Sequence, residues 1–389
     1  MSLLKNMMFG VGSMLLVTQN IDAQVKTKNF EAVFEMEYVS KLPLVDVEIK
    51  GKKYKFLFDT GAMSVIPRSL AKELALEIQD EIDIVDASGK EDKLKVYKLP
   101  SLKMAGVEFS DFNVVADDFA KEFPVSCIGF DGILGYNFLK DLSVKLDYKN
   151  KKLTLSDKTI SHLGYKTIAI QFDEKHAPLI PFAFAFGDVF VGIDTGKNDG
   201  ILLGDIQIAK LFHKYNYTSR KMLGTSSSSF NGVDTQRVLE SFVVKDFSLD
   251  REIAIASCSV DVDTSGQFLV GNAFLENFDL IIDFKHKRAY MKPLFKEMNE
   301  EFENSFGFSL FWDEIQKLYI SALEENSQAA INGLKIGDKV LSINDTDTLN
   351  FSAQEYCKMT SEDFFQTQNK LELIVQRDGS KILRKILSK

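Results

Sequence analysis

The chain has 389 residues, 45% of them hydrophobic and 26% charged, which is an ordinary globular composition with room for two or three domains and excludes a disordered chain. A formal net charge of -9, with no cluster of Lys and Arg, excludes a protein that holds nucleic acid through its phosphates. The 32 Phe residues are expected to fill cores and sheet interfaces.

The first 23 residues read as a signal peptide. Lys5 gives a positive start, Met7 to Val17 is apolar, and Ile21-Asp22-Ala23 precedes Gln24 as a cleavage site. The apolar run is shorter than the roughly 20 residues a membrane-spanning helix needs. Nothing later in the chain reads as membrane-spanning, so an exported protein, periplasmic or secreted, is expected.

From Leu44 the pattern is β. Leu44 to Ile49 alternates, Gly51-Lys52-Lys53 turns, and Tyr54 to Phe58 runs as an apolar strand into Asp59-Thr60-Gly61. A short helix is expected over Arg68 to Leu76, and a hairpin over Ile82 to Tyr97 that turns at Ala87-Ser88-Gly89. The plan then recurs. Leu179 to Phe186 is strand-like, Gly187-Asp188 is a hairpin turn, and Val189 to Ile193 runs into Asp194-Thr195-Gly196, with a helix over Gly204 to Phe212. Leu223 to Val238 occupies the place of the first copy's hairpin. Its Gly224-Thr225 and Ser226 to Ser229 read as a flexible loop.

Residues 43–155 can be laid over 178–291, so the chain contains a duplication. Pro43-Leu44 precedes Asp59, and Pro178-Leu179 precedes Asp194, by the same 16 residues. Gly135-Tyr136-Asn137-Phe138-Leu139 matches Gly271-Asn272-Ala273-Phe274-Leu275, and Leu146-Asp147-Tyr148-Lys149 matches Ile282-Asp283-Phe284-Lys285. Gly135 follows Asp59 by 76 residues and Gly271 follows Asp194 by 77.

Two carboxylates brought face to face can share one proton, so that one acts as base toward a water while the other acts as acid toward the substrate. Within each tripeptide, Asp supplies the carboxylate, Thr a hydroxyl that can bond to the opposing loop, and Gly the close approach of the two backbones. Asp59 and Asp194 are the catalytic candidates, and Thr60, Gly61, Thr195 and Gly196 are their support. Asp131, Asp147, Asp199, Asp279 and Asp283 lie near these motifs and read as surface or turn acids.

Through Phe58-Asp59-Thr60-Gly61-Ala62, Ile193-Asp194-Thr195-Gly196, Ile133-Leu134-Gly135 and Leu269-Val270-Gly271, the chain resembles the retropepsin-like and pepsin-like aspartic peptidases over roughly residues 30–295. The resemblance implies a mainly β fold of two homologous acid-protease-type barrel lobes, with the apolar-apolar-Gly segments packed behind the Asp loops. It also implies β-hairpin flaps, for which the two hairpin segments above are the candidates. The expected lobes are residues 24–156 and 157–295.

Past Pro293 the character changes. Lys296 to Asn304 is charged and reads as a linker. Phe306-Gly307-Phe308, strand-like Lys317 to Ala322, Ala329-Ala330, Gly333-Leu334, Gly337-Asp338, Val340 to Asn344 and Leu371 to Asp378 come in an order that resembles bacterial PDZ domains. A small α+β PDZ-like domain is expected over residues 302–389. By analogy with that family, Phe306, Gly307 and Phe308 form the loop that holds a peptide or protein C-terminus.

Cys127, Cys258 and Cys357 have no metal-like spacing and are expected as free buried thiols, with one bridge at most. His162, His176, His213 and His286 are isolated, so no metal site and no cofactor is expected. A serine-hydrolase elbow and a phosphate loop are both missing from the sequence. The reading is an exported aspartic endopeptidase acting on peptides or proteins. Its competitor is a non-catalytic peptide-binding protein on the same duplicated barrel. Lys197 departs from the family pattern, which has Ser, Thr or Ala after Asp-Thr-Gly, as Ala62 does in the first copy. Its long stem is expected to carry the ammonium out to solvent.

Overall fold

The computed structural model describes residues 8–9, 24–25, 29–85, 91–172, 177–229, 232–298, 302, 305–361, 364–379 and 381–388. The signal-peptide reading therefore falls almost wholly outside the described residues. So do the turn expected at Ala87-Ser88-Gly89 and most of the segment expected as a linker, although Met298 within it is buried in the core. Among the described residues no helix is long and apolar enough to cross a membrane.

The first half begins with β1 (Glu31–Glu35), β2 (Leu42–Ile49), β3 (Lys52–Phe58), β4 (Val65–Ile66) and helix α1 (Arg68–Glu73). Next come β5 (Ile78–Val85), β6 (Glu91–Met104), β7 (Val107–Ala116), β8 (Gly132–Leu134), α2 (Tyr136–Leu139), β9 (Ser143–Asp147) and β10 (Lys152–Ser156). The β2–β3 hairpin closes because Lys50 and Gly51 both take positive φ, 49° and 78°, the backbone twist a two-residue turn between right-twisted strands requires.

The second half repeats the plan. It runs through β11 (Lys166–Ala169), β12 (Pro178–Phe184), β13 (Gly187–Ile193), β14 (Ile201–Leu203), α3 (Ile206–Lys214), β15 (Thr218–Ser229) and β16 (Gly232–Leu249). It is completed by β17 (Ile253–Val262), β18 (Phe268–Val270), α4 (Asn272–Leu275), β19 (Phe278–Asp283) and β20 (Arg288–Pro293). Phe184 pairs with Gly187, so the hairpin turns at Ala185-Phe186, two residues earlier than the Gly187-Asp188 turn expected. Gly187 and Asp188 instead open β13.

The Ser-rich segment is a correction. Residues 218–229 and 232–249 form a long antiparallel hairpin, with register shifts between Leu223 and Thr225 and between Thr225 and Ser227. Composition suggests a flexible loop there, but a partner strand satisfies the backbone of a Ser run as well as that of any other sequence.

The two halves are joined by a six-stranded sheet ordered β11-β20-β19-β9-β10-β1. At its centre β9 and β19 pair antiparallel, Val144 opposite Ile282 and Leu146 opposite Leu280. The two most similar stretches of the repeat thus lie side by side across an approximate two-fold relation.

The last part comprises β21 (Phe308–Asp313), β22 (Lys317–Glu324), α5 (Gln328–Ile331), β23 (Lys339–Ile343), α6 (Ala353–Ser361), β24 (Lys370–Arg377) and β25 (Lys381–Ser388). It is fastened to both lobes. Strand β15 of the second lobe pairs with β22, Met222 opposite Glu324 and Leu223 opposite Leu323. Against the first lobe, Phe119, Val125, Phe130, Phe311, Trp312 and Tyr356 share one apolar core. Cys127 and Cys357 are joined by a disulfide across 230 residues of sequence, which corrects the expectation of free thiols. Only packing of α6 on the 3-10 turn Val125–Cys127 brings the two together. Cys258 is unbridged and buried.

Candidate active site

Each Asp-Thr-Gly follows directly on a strand that is held by another strand. Strand β8 runs parallel to β3, and the Asp59 amide donates to the Leu134 carbonyl at 3.0 Å. In the second lobe β18 runs parallel to β13, and the Asp194 amide donates to the Val270 carbonyl, also at 3.0 Å. The apolar-apolar-Gly segments therefore fix where each loop leaves its sheet.

The loops then grip each other. The Thr60 amide donates to Thr195 Oγ1 (3.0 Å), whose hydroxyl donates to the Phe58 carbonyl (2.7 Å). In mirror fashion the Thr195 amide donates to Thr60 Oγ1 (3.1 Å), whose hydroxyl donates to the Ile193 carbonyl (2.6 Å). All four bonds are buried, and each threonine acts as donor and acceptor at once, so neither loop can move without orphaning polar groups.

This grip places Asp59 and Asp194 face to face. Asp59 Oδ1 accepts from the Gly61 amide (2.8 Å), and Asp194 Oδ1 from the Gly196 amide (2.9 Å). A Cβ added at Gly61 would sit 3.0 Å from the Asp194 carboxyl carbon, and one at Gly196 would sit 2.1 Å from Asp59 Oδ2. Each glycine lies against the opposite carboxyl, which leaves no room for a side chain. Both aspartates are fully buried, and among the described residues their Oδ2 atoms have no hydrogen-bond partner. A proton held between the two carboxyls satisfies both.

Burial, followed by the neighbouring Asp194 charge, raises the Asp59 carboxyl well above the usual carboxylate range. Burial also raises Asp194, to about 6, while the Lys197 cation and the Gly196 amide pull it down. The pair is thus electrically unequal, with Asp59 the better proton holder and Asp194 the better anion.

The inequality traces to Lys197, whose expected route to solvent is overturned. Lys197 is 1% exposed and pairs with Asp199, which is 5% exposed. Its stem runs past Gly271, where an added Cβ would meet Lys197 Cγ at 2.8 Å. A buried acid within reach offsets the loss of hydration that would otherwise drive an ammonium outward. Asp199 is therefore no surface acid. Nor is Asp283, which is 1% exposed and accepts from Thr159 and from the His286 amide. Asp131 is exposed, and Asp147 and Asp279 are half-buried. Near Asp199 lies Asp261, pushed up to about 6 by burial against a hydrogen bond from Ser241. Among the described residues no group of His, Cys, Asp or Glu has the geometry to hold a metal ion.

Sequence reasoning gave no role to the polar residues Ser64, Asn137, Tyr148 and Asn272 behind the loops. The Asn272 amide nitrogen donates to the carbonyls of Thr195 (2.7 Å) and Lys197 (3.1 Å), and its oxygen accepts from the Tyr148 hydroxyl of the first lobe (2.8 Å). In the first lobe Asn137 accepts from the Ser64 amide (2.8 Å), and Ser64 Oγ accepts from the Gly135 amide (2.9 Å). The signal was present, since each repeat carries an Asn within two residues of the matched glycine.

Phe306, Gly307 and Phe308, expected to hold a peptide C-terminus, lie at the start of β21. Gly307 has φ of 78°, and Phe306 and Phe308 are buried. The Phe306 carbonyl accepts from Ala329 and the Gly307 carbonyl from Glu324.

Two family models match the chain. The "aspartyl protease" model matches residues 45–138, and the "PDZ domain" model matches residues 297–364. Among solved structures, an aspartic proteinase from Irpex lacteus is 14% identical, with a TM-score of 0.46, over 68% of this chain and 97% of that one. Basic 7S globulin from soybean is 9% identical, with a TM-score of 0.43, over 70% and 95%. Among curated proteins none matches. The chain is mainly β, with aspartic-protease-like lobes and a C-terminal PDZ domain.

Proposed function

We propose that this chain, an aspartyl-protease-like protein with a PDZ domain, is an exported aspartic endopeptidase that hydrolyses peptide bonds with a water activated between Asp59 and Asp194. The observation that carries the reading is the cross-bonded pair of Asp-Thr-Gly loops, which holds two buried carboxyls face to face. Asp194, the better anion, takes a proton from the water, while Asp59 gives its proton to the carbonyl oxygen of the scissile bond. As the C–N bond breaks, Asp194 gives its proton to the departing amine and Asp59 takes one back from a hydroxyl of the tetrahedral diol, which resets the pair with no covalent enzyme intermediate. The amides of Gly61 and Gly196 hold one oxygen of each carboxyl, so the two keep their orientation through proton transfer.

The PDZ-like unit, in this reading, takes peptide or protein C-termini at Phe306 to Phe308. A second reading, that of a non-catalytic peptide-binding protein, is favoured by the buried Lys197, because a cation there pulls Asp194 toward ionisation. The two readings separate in a peptide-library digest with the mature protein over a pH series. Cleavage that disappears in Asp59→Asn supports the enzyme, and uncut peptides at every pH support the binding protein.

A further inference from the structure

A peptide that adds to a PDZ-type unit as a strand needs a free sheet edge, and among the described residues β21 pairs with β22 alone, which leaves its other edge beside α6. Here the far half of the cleft between β21 and α6 already has an occupant. Phe123, from the first lobe, sets its ring 5.6 Å from Phe311, 5.1 Å from Trp312 and 5.3 Å from Tyr356, centroid to centroid. Phe311 and Trp312 belong to β21 and Tyr356 to α6, so the ring stands between the cleft's two walls. The walls are closed on each other as well. The Tyr356 hydroxyl donates to the Leu310 carbonyl (3.1 Å), and Trp312 Nε1 donates to the Phe351 carbonyl (2.6 Å).

Four residues beyond Phe123, Cys127 is bonded to Cys357, the neighbour of Tyr356 on α6. The same bond therefore ties the plug to the cleft wall. Both cysteines are half-buried, whereas Cys258 is buried in the second lobe's core and offers no competing thiol.

We propose that Cys127–Cys357 is a thiol-exchange site whose cleavage by a dithiol releases the PDZ-like unit from the first lobe and exposes the cleft between β21 and α6. One thiolate of the dithiol attacks a sulfur of the bridge, and the S–S bond breaks as a mixed disulfide forms. The second thiol resolves it, leaving Cys127 and Cys357 as two thiols and the reagent as a disulfide; two electrons and two protons pass to the protein. With the bond gone, Phe123 is held by its ring contacts and by the apolar core that the first lobe shares with the unit, and no covalent tie remains between them. The pairing of β15 with β22 remains, so the unit stays attached to the second lobe while it opens toward the first.

That the opened cleft receives peptide C-termini rests on the function proposed above, and the test keeps the two claims apart. The full chain is compared as oxidised protein, after treatment with dithiothreitol, and as the Cys127→Ser/Cys357→Ser variant. Amide hydrogen exchange is read over residues 308–313 and 353–361, and binding is read with a peptide that has a free apolar C-terminus and with its amidated copy. Exchange in both segments is expected to quicken by about ten-fold or more after reduction and in the double serine variant. Phe123→Ala with the bridge intact is expected to quicken exchange in both segments, because the ring touches Phe311 and Trp312 on one wall and Tyr356 on the other. Faster exchange with binding of the free-acid peptide supports both claims. Faster exchange without binding supports the thiol-exchange site and removes the peptide-receptor reading. Exchange at both segments that is the same with and without the bridge overturns the proposal.

Discussion

Lys197→Met tests the electrostatics of the site most sharply. The wild-type residue is a buried cation paired with buried Asp199, and its charge opposes the burial that raises the Asp194 carboxyl, leaving it at about 6. At an effective dielectric near 20, a unit charge is worth about 4 kcal/mol at about 4 Å and about half that at twice the separation. Each pKa unit is about 1.4 kcal/mol, so loss of the cation should raise the lower apparent pKa of the pair by about a unit or more. The single variant also strands Asp199 as an unpaired buried charge, a change that costs about 3–5 kcal/mol in comparable ion pairs. Lys197→Met/Asp199→Asn removes that liability. In the double variant the acid limb of the kcat/KM profile on a quenched-fluorescence peptide should still move upward, because the lysine acts more strongly on Asp194 than Asp199 does. The stability deficit of the single variant should largely vanish. An acid limb that stays in place in a well-folded double variant would refute the assignment of the inequality to Lys197.

Three further outcomes follow from the same geometry. The folded state holds the Asp194 proton more tightly than the unfolded chain does, so ionising it opposes folding. Asp194→Asn should therefore be more stable than wild type at neutral pH, by up to roughly 3 kcal/mol, and the gain should fade as pH drops through about 6 toward the ordinary carboxylate range; thermal unfolding across pH reads this directly. Thr60→Val strands the Thr195 amide and the Ile193 carbonyl, so it should lower stability by about 1–3 kcal/mol per orphaned group in denaturant titrations, and lower kcat as the loops separate. Cys127→Ser/Cys357→Ser frees a cross-link that spans 230 residues and should lower unfolding stability by about 2–5 kcal/mol.

Much of the site was legible because it is built from backbone rules that leave a fixed trace. Asp59 and Asp194 had to follow a strand, Gly61 and Gly196 had to be side-chain-free, and the duplication announced two equivalent loops. What escaped was decided by which side chains and strands meet once the chain is folded. Lys197 turns inward because Asp199, two residues on, folds into the same buried pocket. Cys127 meets Cys357 only once α6 lies on the first lobe. The Ser226 to Ser229 run becomes a strand because Gly232 to Leu249 supplies its partner. Local composition contains none of these three contacts. Asn137 and Asn272 are an intermediate case, visible in the repeat, yet assigned a task only by the groups they were found to hold.

The central claim is that Asp59 and Asp194 form one shared-proton catalytic pair. Its most direct test is the digestion of a peptide library by mature wild-type protein, Asp59→Asn and Asp194→Asn across pH. A shared-proton pair gives a bell-shaped profile for the wild type and loss of cleavage in both variants, each still folded. Full activity in either variant, or a library left intact by the wild type at every pH, would contradict it.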